Sequence, residues 1–182
     1  MERNTVIMSS KSKNKGKSFE REIANFLSET YSDSFTRVPD SGAFTGGKNA
    51  FRRDKLTEGQ VRAHKGDVIP PDEWRFFNIE CKNYADFAFH LLLTTGKISI
   101  LEQWLTQLLQ AEDKGDCSNL IFKITRKGTF IGYRLPSDFI TDRYIDYTDN
   151  NNNRWRITEF YEFFKFNKDS FKNKCISGTS NH

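Results

Sequence analysis

The sequence predicts an α/β fold in which helices flank a mixed central sheet, and three observations carry that reading. Apolar residues recur at helical spacing twice: Phe19, Ile23, Phe26 and Leu27 fall at i, i+4, i+7 and i+8, and Leu101, Trp104, Leu105 and Leu108 form a second stripe. Between and after these stripes stand short runs rich in Val, Ile and Phe, with apolar and polar residues alternating and Gly, Pro or Asp at their ends, as strands require. The 182 residues are enough for one hydrophobic core.

Residues 1–16 have no period and are rich in Lys, Ser and Asn, so they read as a flexible basic arm, or as a merely solubilising tail. The first helix is expected over 18–31 with Ser18 as its N-cap. On a helical wheel Glu20 lies on the flank of the apolar stripe between Leu27 and Ala24, and Glu22 lies on the other flank. Glu20 is the acid expected to point inward, although both also fit as first-turn carboxylates favoured by the helix dipole. Residues 34–38 form a short strand closed by the turn Pro39-Asp40-Ser41-Gly42. Residues 43–64 have several Gly and no period; a loop this long is a phosphate-facing loop or a solvated insertion.

Two strands, 66–69 and 75–82, are expected to make a hairpin across Pro70-Pro71-Asp72-Glu73. The stretch 87–93 is ambiguous. Ser99 and Glu102 form a capping box that opens the second helix, and Gly115 lies beyond its end. Gln103 and Gln107 share one flank of this helix and read as solvated. A second hairpin is expected from 120–124 and 129–135, then a short helix over 137–145 and an Asp-Asn loop at 149–153. The final aromatic segment, with Trp155, Ile157, Phe160 and Phe163, has no assignable period, and the chain has no internal repeat.

Composition narrows the function classes. No apolar run approaches the length of a spanning helix, and the start of the chain lacks a secretory apolar region, so a cytoplasmic protein away from membranes is expected. Cys81, Cys117 and Cys175 are an odd number without metal-knuckle spacing and read as free thiols. The net charge of +4 is modest but unevenly spread. Lys11, Lys13, Lys15 and Lys17 crowd the arm, and Lys48, Arg52, Arg53, Lys55, Arg62 and Lys65 crowd the long loop.

The stretch 65–83 carries the chemistry. In a strand, Phe76, Asn78, Glu80 and Lys82 share one face while Phe77, Ile79 and Cys81 share the other. Asp67 stands at the end of a short apolar segment just before them. Two carboxylates and an amine brought to one spot suit a divalent cation with oxygen ligands, Mg²⁺ in particular. Singly, each has a plainer reading: Asp67 as a turn residue, Glu80 and Lys82 as a solvated pair, Cys81 as a small buried hydrophobe.

The element order, with Gly66-Asp67 followed by Glu80-Cys81-Lys82, resembles the PD-(D/E)xK nuclease superfamily. Lys15-Gly-Lys-Ser-Phe-Glu20-Arg21, Arg37 with Ser41-Gly42, and Ile79-Glu-Cys-Lys82 look more closely like segments of archaeal-type Holliday junction resolvases, also found in phages. The resemblance implies a restriction-endonuclease-like αβββαβ core over 17–135, preceded by the arm and followed by a helical and aromatic extension over 136–182 with a disordered tail. It implies Glu20, Asp67, Glu80 and Lys82 as the catalytic set, with Arg21, Arg37 and Ser41 touching DNA or supporting the site. Two departures stand out: Gly66 replaces the usual proline, which should matter little, and the insertion between Gly42 and Lys65 is longer than the archaeal pattern.

By that likeness Asp67, Glu80 and the main-chain carbonyl of Cys81 hold Mg²⁺, with Mn²⁺ as a substitute, and Glu20 serves a second ion or a bound water. Lys82 orients or deprotonates the attacking water. The lysine arm and Lys48, Arg52, Arg53, Lys55, Arg62 and Lys65 contact phosphates of branched double-stranded DNA. Two symmetric nicks in a four-way junction call for a C2 homodimer in a bacterial, archaeal or phage-infected cell. Three functions stay in play: a junction-resolving endonuclease, another nuclease of the superfamily acting on repair, flap or restriction-type substrates, and a basic nucleic-acid-binding module with structural acids.

Overall fold

The structure is a computed structural model that describes residues 10–39, 65–94 and 96–178. Its elements are α1 (Ser10–Tyr31), β1 (Thr36–Arg37), β2 (Val68–Ile69), β3 (Phe77–Tyr84), a single turn α2 (Leu91–Thr94), α3 (Ser99–Gln110), β4 (Cys117–Ile124), β5 (Gly128–Arg134), β6 (Ile145–Thr148), β7 (Arg154–Glu159) and α4 (Phe160–Ser177). Five strands form one mixed sheet in the order β3-β4-β5-β7-β6. β3 and β4 run parallel, joined by the α3 crossover, and the other pairs are antiparallel.

Strand alternation divides the core in two. Phe77, Ile79 and Cys81 of β3, Cys117 and Ile121 of β4 and Ile131 and Tyr133 of β5 face one side, where α1 and the aromatic α4 pack on them. Leu120, Phe122 and Ile124 of β4, with Trp155 and Ile157 of β7, face the other side and meet Leu101, Trp104, Leu105 and Leu108 of α3. The result is a sheet with helices on both faces. Among the described residues no helix is long and apolar enough to cross a membrane.

Several sequence expectations need correction. Helix α1 begins at Ser10, so residues 10–16 of the expected arm are helical and Ser18 lies inside the helix rather than at its cap; residues 1–9 lie outside the described residues. The segment 66–69 does not make a hairpin with β3. β2 pairs antiparallel with β1, in register Thr36↔Ile69 and Arg37↔Val68. It meets β3 through the Asp67 N–H, which donates to the Ile79 carbonyl at 2.9 Å. The capping box of α3 is not formed, because Glu102 is engaged elsewhere: it accepts from the Tyr147 hydroxyl and from the Asn150 N–H at 3.0 Å.

The chain beyond 135 is no appendage. Residues 137–144 are irregular where a helix was expected, and β6 and β7 complete the sheet. The unassigned aromatic segment splits into β7 and α4, whose Phe160, Phe163, Phe164 and Phe171 fill the core beside α1. The split is sharp because the Glu159 side chain accepts the Glu162 N–H at 2.7 Å and caps α4. Residues 179–182, the expected tail, lie outside the described residues.

Candidate active site

The short β1–β2 ribbon sits between α1 and β3, and this arrangement gathers the acids. Phe19, Ile23, Ala24 and Leu27 bury one stripe of α1, and Glu20 at its flank is left 9% exposed against the ribbon. Its Oε2 accepts from Arg37 Nε of β1 at 2.6 Å. Glu22 points to the outer flank, where Lys123 of β4 donates to both its oxygens at 2.9 and 2.8 Å.

Asp67 is held from three directions. Its N–H donates to Ile79, its carbonyl accepts from the Val38 N–H at 3.0 Å, and its Oδ2 accepts from the Cys81 N–H at 2.7 Å. Cys81 therefore turns its N–H away from β4, and in a strand the carbonyl of a residue lies on the same side as its N–H. That edge carries Asp67.

Gly66 is what allows this approach. Its φ is +67°, and a Cβ there would stand 2.4 Å from the Ile79 carbonyl oxygen. Proline, held near a φ of about −65°, could not adopt this backbone. The replacement of the family's proline, which looked inconsequential in the sequence, is a structural requirement of this chain.

On the opposite face of β3, Glu80 and Lys82 lie side by side, with Nζ donating to Oε1 at 2.5 Å. Lys82 also donates to Gln107 Oε1 of α3 at 2.8 Å. Gln107 reaches Glu80 as well, and helps hold its charge. The sequence placed Gln107 on a solvated flank. Its role depends on α3 crossing the Asn78, Glu80 and Lys82 face of β3, and no local pattern announces that. Asn78 on the same face ties β3 to β4, donating to Ser118 Oγ at 2.9 Å.

The electrostatics are those of buried acids close to one another. Burial, then the neighbouring Glu80 charge, pushes the Asp67 carboxyl up to about 8, against the pull of the Cys81 N–H. Burial also raises Glu80, although Lys82 opposes it. Burial works against the Lys82 ammonium, but Glu80 outweighs it and holds the lysine above its ordinary range. The Cys81 thiol is buried and pushed well up, so it is inert. Among the described residues, Arg37 and Lys82 pair with Glu20 and Glu80 of this cluster.

Among the described residues no three His, Cys, Asp or Glu side chains already converge as a metal cage. Each acid is drawn to its own donor: Glu20 to Arg37, Asp67 to the Cys81 amide, Glu80 to Lys82. The donor chemistry nevertheless fits a hard divalent cation. Asp67 and Glu80 offer buried carboxylate oxygens close to one another, and the Cys81 carbonyl faces the Asp67 side of the strand. Glu20 stands behind them on Arg37.

The expected DNA contacts are distributed differently. Arg21 is exposed on α1, its Nε donating to the Lys17 carbonyl at 3.2 Å, and Arg37 is turned inward to Glu20. Lys65 is turned into the fold in this structure. It is buried, donating to Asp113 at 2.9 Å and to Asp116, and anchors the chain just before Gly66-Asp67. Ser41, Lys48, Arg52, Arg53, Lys55 and Arg62 lie outside the described residues.

Residues 11–173 match the sequence model of a family described as "Phage putative PDDEXK endonuclease". No curated protein and no solved structure matches the chain.

Proposed function

The chain belongs to this family of phage PDDEXK endonucleases and is therefore a metal-dependent nuclease with DNA as its substrate, and we propose that it is a Mg²⁺-dependent, structure-selective endonuclease that resolves four-way junctions by paired symmetric nicks. The observation that carries the catalytic assignment is the gathering of Glu20, Asp67, Glu80 and Lys82 around the β2–β3 contact from separate parts of the chain. The junction preference rests on the likeness of Lys15 to Arg21 and Ile79 to Lys82 to junction resolvases. Paired nicks imply a C2 homodimer, with one site for each of two symmetry-related strands.

In this reading Asp67, Glu80 and the Cys81 carbonyl hold Mg²⁺, with Mn²⁺ able to replace it, and Glu20 supports a second ion or a bound water. The ion, when bound, acidifies water and offsets the phosphodiester charge. Lys82 stands beside Glu80 as a hydrogen-bond donor, so its part would be to orient or deprotonate the attacking water and to neutralise charge developing on the scissile phosphate. Gln107 holds that ammonium in line. Arg37 holds the Glu20 carboxylate in place through its Nε. The enzyme would act in the cytoplasm of an infected cell.

The long insertion over 43–65 favours a second reading, a nuclease of the same family acting on linear duplex or flap DNA, because loops beside a site choose what enters it. One assay separates the two. A labelled four-way junction and a matched duplex are incubated with the protein in Mg²⁺ or EDTA. Paired symmetric nicks on the junction alone support resolution; equal degradation of both substrates supports the second reading, and no cleavage in Mg²⁺ overturns both.

A further inference from the structure

A track of basic side chains leads away from the active site along a surface of which the sequence singled out Lys15 alone. Lys15, Phe19 and Glu22 fall on one stripe of α1, and that stripe lies over the carboxyl ends of β3 and β4. The Lys15 carbonyl accepts from Asn83 Nδ2 at 3.3 Å, at the end of β3 and on its α1 face, opposite that of Lys82. Asn83 is paired in register with Lys123, whose Nζ stands 5.8 Å over the Phe19 ring as well as on Glu22. From Lys123 the chain enters the β4–β5 turn, where the Thr125 N–H donates to the Tyr84 carbonyl at 3.0 Å and Arg126 and Lys127 project into solvent.

Arg126 is the telling member. It adopts a φ of +63°, a left-handed conformation that costs an L residue and suits Gly or Asn. Gly128, two residues on, takes a second positive φ of +121°, so the turn has two such positions and only one of them is glycine. The acids along the track, Glu22 and Asp86, are 40% and 78% exposed, and their pairs with Lys123 and Lys127 are open to solvent. Exposed pairs of this kind are weak, and a phosphate can displace the carboxylate. Lys15 and Arg126 have no carboxylate partner among the described residues.

We infer that Lys15, Lys123, Arg126 and Lys127 form a phosphate-binding track that carries one duplex arm of the DNA substrate away from Lys82. The inference rests on the nuclease reading and adds to it a surface for double-stranded DNA. It gives the described part of the chain a DNA surface besides Lys65, which is buried in an ion pair. Contacts along it are to backbone phosphates, so they fix the position of the arm without reading its bases.

The test uses the full chain with Lys15→Gln, Arg126→Gly and their combination, with Lys165→Glu on exposed α4 as a control. Arg126→Gly removes charge while relaxing the backbone, so its melting temperature should equal or exceed that of the parent. Binding of a short synthetic duplex is followed by fluorescence anisotropy over a salt series. Each lost contact should lower the slope of log K against log salt by roughly 0.9, and the double variant should bind roughly tenfold or more weakly. That result, with the control unchanged, supports the track. Variants that bind and cleave like the parent, with the same salt slope, overturn it while leaving the nuclease intact. A parent chain that neither binds nor cuts DNA overturns the nuclease reading and the track together.

Discussion

The backbone N–H of Cys81 donates to the carboxylate of Asp67 across 2.7 Å, joining two residues that stand 14 positions apart. This contact converts two weak sequence signals, a Gly-Asp pair and a Glu-Cys-Lys triplet, into one site. It also fixes Asp67 at the centre of a buried acid cluster, and the properties of that cluster are measurable.

Asp67→Asn should abolish cleavage and yet stabilise the metal-free fold. The wild-type carboxyl is raised by burial to about 8, well above the ordinary value of about 3.9 that it regains on unfolding. Ionisation is thus penalised in the native state, and the metal-free protein loses stability as pH rises from about 4 toward 8. The amide keeps an oxygen for the Cys81 N–H and never ionises. In EDTA at pH 8 the variant should unfold at higher denaturant, by on the order of 1–3 kcal/mol, and the gain should vanish near pH 4. Its kcat should fall by at least about 10²-fold. Equal stability of the two proteins at pH 8 would contradict the strained-acid reading.

Metal uptake should release protons. Because Asp67 and Glu80 both sit above the ordinary carboxylate range before a cation arrives, binding must drive protons off, and apparent affinity should rise between pH 6 and 8. Calorimetric titration of Mg²⁺ or Mn²⁺ in buffers of different ionisation enthalpy reads the proton count directly. A binding constant flat across that range would show that the acids are already ionised.

Gly66→Ala should damage the site through the backbone alone. The added methyl meets the Ile79 carbonyl oxygen at 2.4 Å, and the positive φ forbids easy adjustment. A loss of about 1–3 kcal/mol in denaturant unfolding is expected, together with a fall in kcat from displacement of Asp67. Preserved activity with normal stability would mean that the β2–β3 approach is looser than the structure shows.

How much of this was legible beforehand differs by element. Helix α3 and the β4–β5 hairpin were readable because their apolar periods are local and strong. The face assignment on β3 was also readable, since alternation alone puts Glu80 and Lys82 opposite Ile79 and Cys81. The β1–β2 ribbon was not, because two-residue strands with a long insertion between them carry no period, and pairing across such a gap is a tertiary fact. The burial of Lys65 was hidden for the same reason: in sequence it closes a basic run, and only the fold brings Asp113 and Asp116 to it.

Gln107→Ala should separate catalysis from folding. Its side chain is exposed on α3, and alanine favours the helix, so stability should be unchanged within about 0.5 kcal/mol. What is lost is the acceptor at 2.8 Å that, with Glu80, positions the Lys82 ammonium. A kcat lower by roughly ten- to a hundredfold with little change in KM is expected, and Gln107→Glu, which keeps an acceptor, should recover part of it. If Gln107→Ala cleaves at the parental rate, Lys82 is held by Glu80 alone.

Lys65→Met distinguishes a structural lysine from a DNA contact. Its Nζ lies between Asp113 and Asp116, and the Asp116 side chain is only 2% exposed. Burial already pushes the Asp116 carboxyl up despite the lysine beside it, so removing the ammonium leaves a buried acid that must protonate or carry its charge with one cation fewer. The fold should lose roughly 3 kcal/mol, and less below the ordinary carboxylate range, where Asp116 is protonated in both states. The salt slope of DNA binding, measured where the variant remains folded, should match the parent, because a lysine that touches no phosphate releases no counterion. A slope reduced by about one unit with stability intact would instead return Lys65 to the DNA surface.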